Sequence, residues 1–371
     1  MKIRCGKEIL EDVLAVNIKA VSAKSSMSIL KCVLLKAENV FSMYSTDMEM
    51  NVEYKEIPAQ IEETGSVALN ATMFADIVRK MPDGEITIES DEKNLTRITC
   101  GKVKFNIAGT AGEEFPKFPA YEKTNPIVIS SSKLKSLIKC TSFSIAREST
   151  KTVFKGELFE ISPSCLNVVS VDGYRISLAS VGISADTEIS AVVPGKTLLE
   201  LEKTLPENVD VNMYFSERQV VFELPEYVFS SILLNGEFLN YRQSLKSDGN
   251  IRAVVSKSEF FASLDRAMLI SRDDNANNPV TLKFSEDTMR VSSEAEIGDV
   301  VEELSAEIDG GELEILFNPK FLADALKVIE DASIEIYLSA PLSPCIIKNT
   351  GVKEEDTISY QYLVLPLRSK R

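Results

Sequence analysis

Two sets of sequence markers recur along the chain at nearly one interval, and this constrains the fold more than any other feature. The first set has the order strand, polar cap, amphipathic helix, and occurs at Lys2 to Ala15, Pro126 to Ile138 and Ile251 to Leu264. Its apolar anchors Ile9, Leu134 and Phe260 stand 125 and 126 residues apart. The second set runs strand, cap, helix, strand at Val67 to Ile88, Ala191 to Val211 and Glu314 to Ile336. Its caps Asn70, Pro194 and Asn318 are separated by 124 and 124, and Phe74, Leu198 and Leu322 keep step, as do Met81, Leu205 and Ile329. Two independent markers at one period mean a supersecondary assembly used three times. The joints fall in polar, turn-forming sequence near Asn125 and Gly249 to Asn250, which gives units 1–125, 126–249 and 250–371. A chain of 371 residues is long enough for that number of domains.

The rest of each unit reads as strand. Apolar and polar residues alternate in Glu85 to Glu89, Arg97 to Ile107 and Thr281 to Val291, and Pro82-Asp83-Gly84, Asp172-Gly173 and Asn235-Gly236 are turn signals between them. Each unit therefore carries two helices and about eight strands. Hairpins in series with helices on one face define an antiparallel α+β module, not a doubly wound parallel sheet.

Absent residues exclude much chemistry. The chain has no histidine, hence no imidazole base for a serine or cysteine nucleophile and no histidine metal ligand. Its six cysteines, Cys5, Cys32, Cys100, Cys140, Cys165 and Cys345, form no Cys-x-x-Cys pair and read as buried reduced thiols of a cytoplasmic protein. The N-terminus lacks the apolar run of a signal peptide, and no stretch approaches the ~18 apolar residues of a membrane span.

Local motifs that tempt an enzymatic reading have plainer accounts. Pro194-Gly195-Lys196-Thr197 opens a helix as a phosphate loop does, but Ser190 stands where that loop needs its first glycine. The other repeats hold Asn70 to Met73 and Asn318 to Phe321 in the same slot, neither of them glycine-rich. Ser130 to Lys133 has Ser-x-x-Lys spacing without the partner motifs of penicillin-recognising enzymes, and Ser256 with Glu259 in the third repeat is a helix capping box. Asp47, Glu49, Asp273 and Asp274 have no EF-hand spacing and read as solvated acidic loops. No cofactor, metal or catalytic residue is expected.

Charge first argues against nucleic acid. With 41 basic and 56 acidic residues the net charge is −15, whereas phosphate contacts need clustered cations. Location changes this. The predicted helical segments 7–24, 71–81, 132–151, 195–204, 257–272 and 319–331 sum to +5, leaving −20 for the remainder. A shared helical face would offer phosphates a sparse lattice of Lys24, Arg79, Lys80, Lys133, Lys135, Lys139, Arg147, Lys151, Lys196, Lys203, Arg266 and Arg272. Such a lattice binds backbone weakly, without sequence preference and with strong salt dependence.

Several strings, taken in order with the three repeats, resemble the bacterial sliding clamp family, the beta subunits of DNA polymerase III. They are Ser28 to Leu35, Ser45 to Met50, Glu114-Phe115-Pro116, Val171 to Ile176, Asn235 to Phe238 leading to Tyr241-Arg242, and Tyr362 to Arg368. The resemblance implies an α+β fold of three structurally repeated DNA-clamp domains, each with two helices packed on antiparallel sheets, forming a head-to-tail ring. A head-to-tail contact that closes after two copies is a ring, not a filament. The implied function is non-catalytic: a ring-shaped homodimer encircles duplex DNA and holds the replicative DNA polymerase on it.

The resemblance also implies a pocket for linear peptides of the polymerase, the clamp loader and repair polymerases. Carried over position by position, it comprises Phe154, Val171, Gly173, Tyr174, Arg175, Ile176, Leu239, Ser244, Leu342, Pro344, Leu363, Val364, Leu365, Pro366, Leu367 and Arg368, with Arg175 and Arg368 at its polar margin. Read without the resemblance, the apolar members are core and the tail is an edge strand. Subunit contact is implied at Ile77, Phe105 and Ile107 in the first domain and at Leu269 and Ile270 in the third. The chain departs from the family pattern at Leu239, usually proline, at Tyr174, often histidine, in the extra Ser369-Lys370-Arg371, and at Thr152 and Val153, aromatic in some members. The alternative function is a three-repeat interaction scaffold that does not encircle DNA.

Overall fold

Among the described residues six helices of eight or more residues form, and in all of them the fourth residue is fully buried. In the computed structural model, which describes residues 1–22, 24–246, 249–270, 279–350 and 357–368, they are α1 (Lys7–Asn17), α2 (Ala71–Lys80), α3 (Ser131–Thr141), α4 (Gly195–Glu202), α6 (Lys257–Ile270) and α7 (Pro319–Val328). The four-residue α5 (Tyr241–Ser244) lies between α4 and α6. The fourth residues are Leu10, Phe74, Leu134, Leu198, Phe260 and Leu322, all with 0% exposure. Ile9, expected as the first anchor, is only half-buried, and its neighbour Leu10 takes that place. The helix starts at Lys7, and the 100° step per residue turns its fourth residue, Leu10, inward and leaves Ile9 at the margin.

The caps act as their sequence implies. Asn70 accepts from the Met73 N–H at 3.0 Å, and Asn318 accepts from the Lys320 N–H at 3.0 Å beside Pro319 at the first turn. Ser256 accepts from the Glu259 N–H at 3.4 Å. Gly195 has a packing role: a Cβ there would stand 2.7 Å from Ile145 Cδ1, so the glycine admits close contact at the start of α4. The segment 132–151 is not one helix. α3 stops at Thr141, whose hydroxyl bonds back to the Leu137 carbonyl at 2.9 Å, and a 3-10 turn at Ser142–Ser144 and irregular chain follow.

The chain divides into two compact units, Met1–Ser132 with Lys203–Leu233, and Lys133–Glu202 with Leu234–Arg371. In the first, α1 packs on α2, and a five-stranded and a nine-stranded antiparallel sheet provide the framework. The nine-stranded sheet joins strands of the first and second repeats where Met50–Ile57 pairs with Tyr227–Ile232, Val52 opposite Phe229. In the second, α6 packs on α7 beside a twelve-stranded antiparallel sheet. That sheet runs from Ile189–Pro194 through Gly156–Ser162, Cys165–Val171 and Arg175–Gly182 to Ser359–Val364, Cys345–Asn349, Ser333–Leu338 and Ile251–Ser256, and ends at Leu313–Phe317. Alternation explains its inner face: Ile334, Ile336 and Leu338 are buried while Ser333, Glu335 and Tyr337 are less so. All six cysteines are free; Cys165 is half-buried and the others buried. Among the described residues no helix is long and apolar enough to cross a membrane.

Candidate functional site

A tight hairpin builds the floor of a cavity in the second unit. Strands Cys165–Val171 and Arg175–Gly182 turn through Asp172 and Gly173, and Gly173 holds φ +95°, a conformation that favours glycine. The Asp172 carboxylate fixes the turn by accepting from the N–H groups of Tyr174 at 3.0 Å and Arg175 at 3.1 Å, and from Arg175 Nε at 2.8 Å. The C-terminal strand Ser359–Val364 pairs alongside, Arg175 opposite Val364 and Ile176 opposite Leu363. That strand is an inner one, because Cys345–Asn349 pairs on its other side.

The cavity measures about 400 Å³. Val171, Gly173, Tyr174, Arg175 and Ile176 come to it from the hairpin, Leu363 and Leu365 from the C-terminal strand and its continuation, and Pro344 from the preceding loop. Leu239 precedes α5 and Ser244 ends it, and Phe154 and Lys151 come from the segment after α3. Behind them lies a buried cluster that includes Val153, Leu158, Val169, Tyr241 and Ile346, so the apolar wall continues into core. Phe154 meets Phe238 edge to face at 5.8 Å. A mostly apolar concavity of this volume with few polar groups suits two or three side chains of an extended peptide.

Eleven of the expected pocket residues line this one cavity. Five others lie apart from its wall. Leu342 is exposed, Val364 is buried in the sheet, Leu367 donates its N–H to the Leu316 carbonyl at 2.7 Å, Pro366 is half-buried, and Arg368 is exposed. Arg175 is not a free margin residue. It is 8% exposed and donates to Asp172, to Asp324 Oδ2 at 3.0 Å and to the Phe143 carbonyl at 2.7 Å, with its guanidinium 4.4 Å from the Phe321 ring centroid. Burial opposes its charge, but Tyr362, Asp324 and Asp172 more than reverse that effect and hold it charged, its pKa above the ordinary arginine value. Asp172, Phe321 and Asp324 were not anticipated; only the Asp-Gly turn gave a signal for the first of them. Lys151, expected on a DNA-facing surface, sits on the cavity wall.

Three models of the DNA polymerase III beta subunit match in order: the N-terminal domain at residues 1–119, the central domain at 128–240 and the C-terminal domain at 242–368. The chain belongs to the DNA polymerase III beta subunit family. The beta sliding clamp of Bacillus subtilis (strain 168) is 33% identical over 384 residues, with all of both chains covered. That of Staphylococcus epidermidis is 30% identical over 95% of each chain. Among solved structures, a DNA polymerase sliding clamp from Bacillus subtilis aligns with a TM-score of 0.94 at 31% identity, and a DNA polymerase III beta subunit from Thermotoga maritima with 0.91 at 25%, each over the full length of both chains. The chain thus has the family's three repeated domains of antiparallel sheet and helix, and the family is a non-catalytic one.

Of the basic residues expected toward DNA, Lys80, Lys133, Lys135, Lys139 and Lys196 lie on helices, and Lys203 directly follows α4. Arg79 pairs with Asp76 at 3.1 Å, and Arg266 makes a two-pronged contact with Glu302 at 2.7 and 2.6 Å that engages its charge. Lys24, Arg147 and Lys151 lie in irregular chain, and Arg272 falls outside the described residues. With the observed bounds the long helices carry −2, +1, +3, −1, 0 and +1, or +2 in all, not +5, because the shorter bounds leave out more basic residues than acidic ones. Basic charge on helices is concentrated in α3.

Ile77 is buried on the inward face of α2, so it is core and not free surface. Phe105 and Ile107 lie on Val103–Ala108, the last strand of the five-stranded sheet, with Phe105 exposed and Ile107 half-buried. Leu269 is exposed near the end of α6 and Ile270 half-buried. Val153 is buried in the core beneath the cavity, while Thr152 is exposed. Asp47 accepts from the N–H groups of Glu49 and Met50, an ordinary turn; Asp273, Asp274 and Ser369-Lys370-Arg371 lie outside the described residues.

Proposed function

We propose that this protein is a sliding clamp of replication. Two copies join head to tail in a ring, duplex DNA passes through without sequence-specific contact, and the replicative polymerase is held on its template by topology. Clamp loader and repair polymerases dock, like the polymerase, through short apolar peptides in the cavity beside Tyr174. The proposed domain limits are 1–125, 126–249 and 250–371; they depart from the matched spans chiefly at 242–249. The proposed site of action is the cytoplasm.

The observation that carries this reading is the match of three beta-subunit domains, in order and nearly end to end, on a chain as long as the relatives named beta sliding clamp. The charge distribution supports it. A net charge of −15 with a few scattered cations favours encirclement over grip, and weak phosphate contacts leave a ring free to slide. The test is loading onto nicked circular DNA with a bacterial clamp loader and ATP, followed by linearisation. Retention on circles with release after cutting is expected. Equal retention on both forms overturns topological binding and favours a scaffold without encirclement.

A further inference from the structure

The bonds that build the cavity rim recur in the first unit, one repeat earlier. Asp47 accepts from the N–H groups of Glu49 at 3.0 Å and Met50 at 2.7 Å, as Asp172 does from Tyr174 and Arg175. The Ile232 N–H donates to the Glu49 carbonyl at 2.9 Å, and the Leu365 N–H to the Tyr174 carbonyl at 2.9 Å. The Met27 N–H donates to Ser25 Oγ at 3.1 Å ahead of a 3-10 turn at Ser28–Lys31, and the Lys151 N–H to Ser149 Oγ at 3.1 Å ahead of one at Thr152–Lys155. Met27, Met48 and Ile232 thus hold the places of Lys151, Gly173 and Leu365, which line a single cavity. All three are apolar, with exposures of 53%, 53% and 48%.

Met48 is the most informative of them. Its φ of +78° matches the +95° of Gly173, a region that favours glycine, so a methionine there strains the backbone. Its side chain lies exposed and gains little packing in return. Strain kept without a packing gain points to function, and methionine adapts to varied apolar partners. Both charged residues of the turn, Asp47 and Glu49, are acidic. The turn's own N–H groups engage Asp47, whereas Glu49 is exposed and, among the described residues, in no ion pair.

We infer that Met27, Met48 and Ile232 form a second docking surface, on the first unit, for extended apolar peptides that carry a lysine or arginine facing Glu49. The inference rests on the reading of the cavity as a peptide site, because it takes one scaffold to serve one purpose twice. The apolar side chains supply contact, and Glu49 favours cationic segments while repelling phosphate.

The test uses the full chain and a fluorescein-labelled octapeptide with two leucine anchors, a phenylalanine and an adjacent lysine. Anisotropy titrations compare wild type, Leu365→Asp, Ile232→Asp and the two combined. Wild type is expected to bind two peptides per chain, each single variant one, and the double variant none. In Leu365→Asp, exchanging the peptide lysine for glutamate should weaken the remaining site about threefold, an effect that added salt removes. Met48→Gly, placed in the Leu365→Asp chain, suits the backbone and so cannot lose binding by misfolding; it should weaken that site about fivefold. One peptide per wild-type chain, lost in Leu365→Asp and kept in Ile232→Asp, overturns the inference and leaves the cavity reading standing. One peptide lost in Ile232→Asp and kept in Leu365→Asp supports the inference and overturns the cavity reading. Binding at neither place overturns both. A change of subunit assembly in Ile232→Asp on sedimentation, with no peptide bound at the first unit, gives the surface to a second copy of the chain and overturns the inference.

Discussion

Arg175 Nη1 donates to Asp324 Oδ2 at 3.0 Å, and this bond ties the turn beneath the cavity to α7. The same guanidinium reaches the Phe143 carbonyl just after α3 and contacts the rings of Phe143 and Phe321, with centroids at 5.3 and 4.4 Å. Phe321 in turn meets the ring of the exposed Tyr174 at 6.2 Å. Replacing Arg175 by Ala strands Asp172 and Asp324, both largely buried, and is expected to destabilise the protein by about 3 kcal/mol. Arg175→Lys keeps a charge but not the planar fork and should cost less than Ala. Urea titration of both variants, with peptide affinity measured alongside, checks this; unchanged stability in the Ala variant would show the bonds to be dispensable.

Glu223 makes a second such knot in the first unit. Its carboxylate accepts from Lys123 and from Lys55 at 3.0 Å, and from the hydroxyls of Tyr214 at 3.1 Å and Tyr121 at 3.3 Å. Burial alone would raise its pKa, but the two ammonium groups and Tyr214 outweigh that and lower it to about 2. The folded value lies below the unfolded one, so the stabilisation is complete above the ordinary carboxylate range and is lost as pH falls toward 2. Glu223→Gln is expected to flatten stability against pH over that acid window and to speed amide exchange around Tyr121. Identical acid unfolding curves for variant and wild type would refute it.

Legibility in the sequence followed the range of the interactions. The helix starts could be read because Asn70 and Asn318 cap locally and the fourth residue of each helix turns inward whatever the rest of the chain does. The role of Arg175 could not be read. Asp-Gly-Tyr-Arg has the form of an exposed turn, and the partners that bury it, Phe143, Phe321 and Asp324, lie 32 or more residues away. The end of α3 was missed for a similar reason: Thr141 turns back onto its own helix and onto Glu157, a contact that 3.6-residue periodicity does not register. Lys151 reads in sequence as one of several scattered cations, and only the cavity distinguishes it.

Glu157 is fully buried, its Oε2 within hydrogen-bond distance of the Thr141 hydroxyl at 3.0 Å, and among the described residues Oε1 has no partner. Burial pushes its pKa well above the ordinary carboxyl value, against the smaller opposing effect of Thr141. The group stays protonated in the folded protein while the unfolded chain ionises, so stability is full below the unfolded pKa and declines as pH rises, by at most ~1.4 kcal/mol per pH unit. Glu157→Gln keeps the shape and an acceptor for Thr141 but cannot ionise. Its advantage over wild type in thermal unfolding should be near zero at pH 4 and grow toward pH 8. An advantage that does not change with pH would mean the carboxyl is ionised in place.

The C-terminal strand separates fold from docking within a few residues. Leu363 and Val364 are 3% and 0% exposed between two neighbouring strands, whereas Leu365 turns onto the cavity wall, its N–H donating to the Tyr174 carbonyl at 2.9 Å. Leu367 adds one more bond, to the Leu316 carbonyl. A chain ending after Val364 should therefore keep its sheet, unfold within a few degrees of the full protein, and bind apolar clamp-docking peptides about tenfold more weakly through loss of one wall. A chain ending after Tyr362 removes two buried sheet residues and should lose several kcal/mol, so its failure to bind would say nothing specific about the cavity. Calorimetry and anisotropy on the two truncations distinguish these cases. Undiminished peptide affinity in the chain ending after Val364 would move the docking site away from Leu365.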